Sequence, residues 1–171
     1  MCATYNKGGN IMKKINKVVG LLLAAAVVMA GCGGSSAAAS KAADASASAI
    51  GNDLLSKISY EDDMSEMDLE MASMIMDLSG VDVKDAFICE STGATAEEIV
   101  VLECESTDSA KKASDVFKQR VAEQKESYED YVPEELKKLD VAVIATSGNF
   151  AVLSVSGDPD TAKSVITEYL Q

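Results

Sequence analysis

An α+β fold follows from the order of periodicities along the chain. One amphipathic helical stretch comes first, then a pair of strand-like runs followed by a helical run, twice over. Two further features support it. Gly148-Asn149 forms a two-residue step between the last two strand-like runs, as in a tight antiparallel hairpin. The run "VVLEC" at 100–104 is apolar at nearly every position, which marks a central strand. The expectation is an N-terminal helix followed by two ββα units. They make a mainly antiparallel four-stranded sheet with packed helices, in a single α+β domain over residues 52–171.

Three segments precede that domain. Residues 1–11, "MCATYNKGGNI", fit neither a signal nor a domain. Lys-Gly-Gly can be encoded by a ribosome-binding sequence and Asn10-Ile11 would be its spacer, so the segment reads as a mis-called extension and Met12 as the start. Residues 12–31 read as a lipoprotein signal peptide. Lys13, Lys14 and Lys17 form the basic n-region. The apolar run from Val18 to Ala30 is too short for a bilayer, which needs about 20 residues. Ala30-Gly31-Cys32 then looks like a bacterial lipobox, with Met29 where Leu is usual. Cys32 would accept a diacylglyceryl group on its sulfur and become the first residue after cleavage. Two or more acyl chains hold a protein stably on a membrane, which places the domain on the outer face of the cytoplasmic membrane. Residues 32–51 supply the lipidated cysteine and an Ala/Ser/Gly-rich flexible linker, with a random-coil reach of about 25 Å and nothing to bury.

Within the domain, Met64, Met67, Met71, Met74 or Ile75, and Leu78 recur at helical spacing and predict one amphipathic helix ending near Gly80. Residues 83–90 and 98–104 are β-branched and apolar, separated by the turn-rich "STGATAE", and predict a hairpin. A long helix follows. Ser106, Thr107 and Asp108 offer N-caps, and Ala113, Val116, Phe117, Val121, Gln124 and Tyr128 share one face. Pro133 can occupy the first turn of a short helix, "PEELKKL". Residues 140–146 and 150–156 form the second hairpin. Asp158 caps and Pro159 starts a last helix whose face is Ala162, Val165, Ile166 and Tyr169.

Charge narrows the functional classes. The chain carries 15 Lys+Arg against 28 Asp+Glu, a net of −13. Lys7, Lys13, Lys14 and Lys17 precede Cys32 and no acid does, so the remainder keeps 11 basic and 28 acidic groups, a net of −17. Such a surface repels phosphate backbones and anionic head groups, which disfavours nucleic acid as a partner. Histidine is absent. That removes the usual acid/base at neutral pH and the commonest metal ligand.

The candidate sites are few. Arg120, the single arginine, sits on an otherwise apolar helix face, and its fork suits a carboxylate. Glu97 or Glu98, at the start of the central strand, is the expected partner in a structural ion pair. Tyr128 and Tyr131, in "YEDYVPEEL", lie among Glu126, Glu129, Asp130, Glu134 and Glu135 and form a candidate binding patch for glycan or a basic partner. The methionine stripe reads as core, with Met76 off the main stripe. Cys89 and Cys104 read as buried small hydrophobes, because a symmetric hairpin sets Cys89 opposite Ile99 or Val100 and too far from Cys104 for a disulfide. No P-loop, GxGxxG, HExxH or GxSxG motif is present. No catalytic, cofactor-binding or metal residue is assigned.

The stretches "GATAEEIVVLEC", "VFKQRVAEQKESYEDYVPEEL" and "GNFAVLSVSGD" resemble small lipoproteins of Gram-positive anaerobes, grouped as the domain-of-unknown-function 4358 family. The resemblance runs from about Asp53 to Gly157. It implies an anchored extracytoplasmic domain of unassigned activity and brings no catalytic residues. The expectation is a membrane-tethered, non-enzymatic binding or accessory domain without a cofactor, acting on an envelope protein or a small ligand. The alternative is an extracytoplasmic enzyme working with carboxylate, Lys, Tyr or Cys groups.

Overall fold

The computed structural model describes residues 5–6 and 41–170. The expectations for the signal peptide, for Cys32 and for the first part of the linker therefore lie outside the described residues. The strands are β1 (Tyr5–Asn6), β2 (Ser65–Glu66), β3 (Val83–Glu90), β4 (Glu98–Cys104), β5 (Val143–Ser147) and β6 (Phe150–Val155). The helices are α1 (Ala47–Lys57), α2 (Leu69–Ile75), α3 (Thr107–Glu129), α4 (Leu136–Asp140) and α5 (Pro159–Tyr169), with short 3-10 turns at Ala42–Asp44 and Pro133–Glu135.

The four long strands run β3-β4-β6-β5, every pairing antiparallel, and the two-residue strands β1 and β2 add to the outer edge of β3. This is the α+β class read from the periodicities, and "VVLEC" lies on the central strand β4. Its continuous apolar character has a cause: both faces of the sheet are covered. On one face Ile88, Val100, Leu102 and Leu153 pack with Phe117 and Val121 of α3, Leu139 of α4 and Ala72 of α2. On the other, Phe87, Ile99, Val101 and Val152 pack with Ile50 and Leu54 of α1 and Val165 and Ile166 of α5. Successive strand residues point to opposite faces, so β4 has no continuous solvent side, and only Glu103 near its end is partly exposed.

Caps fix the helix starts much as the sequence indicates. Ser106 caps α3 by accepting from Ser109 N at 3.1 Å, and Asp158 caps α5 by accepting from Thr161 N at 3.0 Å. Gly148 turns the second hairpin at φ +56°, a left-handed conformation that favours glycine.

Two expectations change. The linker does not extend to residue 51. Ser46 caps α1, and Ala47, Ile50, Gly51 and Leu54 are buried on one helical face. Small residues hide this helix from a hydrophobic-period search, yet small size is what the contact needs. A Cβ at Gly51 would stand 2.0 Å from Cδ1 of Phe87. The predicted methionine helix is also shorter than its stripe. Ser65 and Glu66 pair with Glu90 and Cys89 along the open edge of β3, and Met67 N donates to Ile88 O at 3.1 Å. Those edge hydrogen bonds hold the backbone extended until Asp68 caps α2. The stripe therefore divides: Leu78 is buried and Met67 and Ile75 pack partly against the core, whereas Met71 and Met74 face outward; Met76, off the stripe, is buried.

Candidate functional site

The charged groups that leave solvent gather around the loop joining β3 to β4. Ser91 Oγ donates to Thr95 O at 2.6 Å, and Tyr128 Oη donates to Thr95 O at 2.6 Å and Gly93 O at 3.2 Å. Gly93 takes φ +92° to close the turn. Asp62 holds the same loop from outside by accepting from Thr92 N at 2.9 Å.

Glu97 and Glu98 leave this loop in different networks. Glu97 is 1% exposed and accepts from Glu61 N at 2.9 Å, Asp62 N at 3.1 Å and Thr95 Oγ1 at 3.1 Å. Lys138 on α4 stands 3.5 Å from it, and also 3.1 Å from both Glu61 and Glu135. Glu135 in turn accepts from Ala96 N at 2.8 Å. Burial alone would lower the Lys138 pKa. Glu61, Glu135 and Glu97 outweigh it and hold the ammonium above its ordinary value.

Glu98 belongs to Arg120. Arg120 Nε lies 3.3 Å from Glu98 Oε2, Nη2 lies 2.7 Å from Glu90 Oε1, and Nη1 reaches the Ile75 carbonyl at 3.5 Å. The single arginine thus joins β3, β4 and the C-terminal end of α2. Glu98 is fully buried and its Oε1 has no hydrogen-bond partner, nor has Oε1 of Gln124, which lies against it. Desolvation raises the Glu98 carboxyl to about 7, with Glu90 adding to the rise and Arg120 opposing it.

These positions sort the sequence candidates. Arg120 and Glu98 meet; Glu97 does not take part and pairs with Lys138 instead. Tyr128 is half-buried at the end of α3 and Tyr131 follows just beyond it. The Tyr128 hydroxyl is spent on the β3–β4 loop, while Tyr131 is 76% exposed. Cys89 and Cys104 are fully buried on opposite faces of the sheet, opposite Ile99 and Val83 in register, so they do not bond to each other. Cys104 is a free thiol that burial raises to about 11. Cys32 lies outside the described residues. Lys138, Glu135, Glu61 and Glu90 were not singled out. The only signal for Lys138 is its i,i+3 spacing from Glu135, which is equally common on a solvated helix.

A second polar cluster ties the start of the domain to its end. Lys41 N donates to Glu168 O at 2.7 Å, and the Lys41 and Lys57 ammonium groups both contact Asp53 and Glu168. Tyr169 Oη donates to Asp53 at 2.9 Å. Burial alone would raise the Asp53 carboxyl; Lys41, Tyr169 and Lys57 together hold it below its ordinary value. Among the described residues no group of three or more Asp, Glu, Cys or His side chains is arranged to hold a metal ion, and no helix is long and apolar enough to cross a membrane.

No curated protein and no solved structure matches the chain. One family model does, described as a domain of unknown function (DUF4358), over residues 56–156. The matched span holds all four long strands, α2 to α4 and both networks around the β3–β4 loop, and it leaves out α5 and most of α1. More than half of the chain is covered, and the chain belongs to the DUF4358 family.

Proposed function

We propose that the chain is a lipid-anchored extracytoplasmic domain, held on the outer face of the cytoplasmic membrane through Cys32, that binds an envelope partner without catalysing a reaction. The observation that carries this reading is the order of residues 12–32: three lysines, a short apolar run, then Ala30-Gly31-Cys32. Residues 33–40 separate Cys32 from Lys41, whose backbone N–H donates to Glu168 O at 2.7 Å. At about 3.5 Å per residue that stretch spans at most about 28 Å, so the domain works close to the lipid surface. The net charge of −17 from Cys32 onward favours a partner with positive charge and keeps the domain off anionic lipid.

The binding half of the reading is supported by how the ionisable groups are used. Glu97, Glu135 and Lys138 saturate one another, and Glu98, the carboxyl with a pKa near neutrality, is sealed behind Arg120. Such groups stiffen a scaffold. The test is incorporation of a clickable palmitate analogue in a Gram-positive host. The wild-type chain takes the label and partitions with membranes, and Cys32→Ser takes none. Equal labelling of the two overturns Cys32 as the lipid site.

A further inference from the structure

We propose that the outward face of α2 docks a basic, amphipathic segment of a partner protein. This rests on the binding role assigned above and names the surface and the chemistry of its occupant. Met71 is 49% and Met74 75% exposed, on a helix of only seven residues. At 100° per residue the outer arc of α2 presents Ser73, Glu70, Met74 and Met71 in sequence, while Ala72 faces the core. Two shallow surface grooves, of about 340 and 400 Å³, share Leu69 and Ser73 as walls. Asp68 and Glu70 edge the first, and Asp82 and Glu105 edge the second.

Charge selects the occupant. Residues 58–83 hold eight acidic side chains and no basic one. Among the described residues none of Glu66, Asp68, Glu70, Asp77 and Asp82 is in an ion pair. Lys112, on α3, donates to Gly80 O at 3.2 Å. The face is thus apolar at Met71 and Met74 and negative along its rim, with Glu70 and Asp68 beside them on the helix, while both grooves open on the Leu69 and Ser73 side. Methionine side chains are unbranched and adaptable, which suits them to grip an apolar stripe of varied sequence. Lysines or arginines flanking that stripe would meet the rim carboxylates. An anionic lipid surface is repelled by the same rim, and a second copy carries the same excess of acid. The helix is also firmly mounted. Asp68 caps its start, Arg120 holds the Ile75 carbonyl at its end, and Ala72 is fully buried, so changes at 71 and 74 leave its attachment intact.

The test uses the full chain in nonionic detergent, with methyl-¹³C methionine. The probe is an amphipathic peptide of about 18 residues built from Leu and Lys, and micelles alone are the blank. On titration the Met71 and Met74 methyl signals shift and that of buried Met76 does not. The double substitution Met71→Glu and Met74→Glu adds negative charge while removing the apolar centre. It weakens the peptide by about tenfold or more without lowering Tm. Equal or tighter binding by the double variant would mean attraction by net charge alone, and overturns the site. So do shifts confined to other residues, and so does self-association, or binding to phosphatidylcholine vesicles, that the double variant abolishes. Failure here with palmitate still on Cys32 removes only this docking site; loss of the label with peptide binding intact removes only the anchor.

Discussion

Glu98 and Glu97 are adjacent buried carboxylates that differ in their hydrogen-bond partners. Glu97 has donors on both oxygens, whereas Glu98 keeps one oxygen unpartnered and meets Arg120 at 3.3 Å. Burial wins at Glu98 and carries its carboxyl from the ordinary 4.5 to about 7. The folded state therefore binds the proton more tightly than the unfolded chain does. The stabilisation linked to this group is complete below about 4.5 and is lost as pH rises through about 7. Glu98→Gln, which mimics the protonated form, is expected to flatten the stability profile across that window. It should also raise Tm above the wild type at roughly pH 8. Thermal melts at several pH values check this, and an unchanged slope in the variant would contradict it. The Arg120 pairing is legible in sequence because a lone arginine on an apolar face needs an anion. The choice between two adjacent glutamates is not, since the Ser91-to-Glu97 loop contacts decide it and no periodicity records them. Lys138 is hidden for a similar reason: its burial depends on Glu61 and Glu97, each distant in sequence.

Helices α1 and α2 show where pattern reading of whole elements stops. A stretch made mostly of Ala, Ser and Gly reads as linker, but in α1 Gly51 lies against Phe87, beside buried Ile50 and Leu54. Gly51→Ala gains about 1 kcal/mol of helix propensity and must also displace the Phe87 ring. Overpacking of this kind costs about 1–3 kcal/mol, so the net expectation is destabilisation. Denaturant midpoints decide it; a midpoint equal to or above the wild type would show that the ring yields freely. In α2 the methionine spacing is genuine and the helix is real but short, because the open edge of β3 captures Ser65 and Glu66 first. A stripe read as wholly core is therefore half core and half surface. The hairpins and α3 and α5 are legible throughout, since their turns and caps carry local signals.

At the scale of the molecule, the order of elements and the central place of β4 are legible in the chain, but the sides on which helices pack are not. A strand buried on both faces shows no alternation, so nothing in β4 assigns α3 to one layer and α5 to the other. The structure starts α1 at Ala47, inside the stretch that reads as linker up to residue 51. Anchorage at Cys32 is the claim on which the functional reading turns. Intact-mass and fragment-ion spectrometry of the protein extracted from membranes tests it most directly. The expected species starts at Cys32 and carries a diacylglyceryl group on that sulfur. A mature chain that starts elsewhere, or one with an unmodified Cys32, would contradict it.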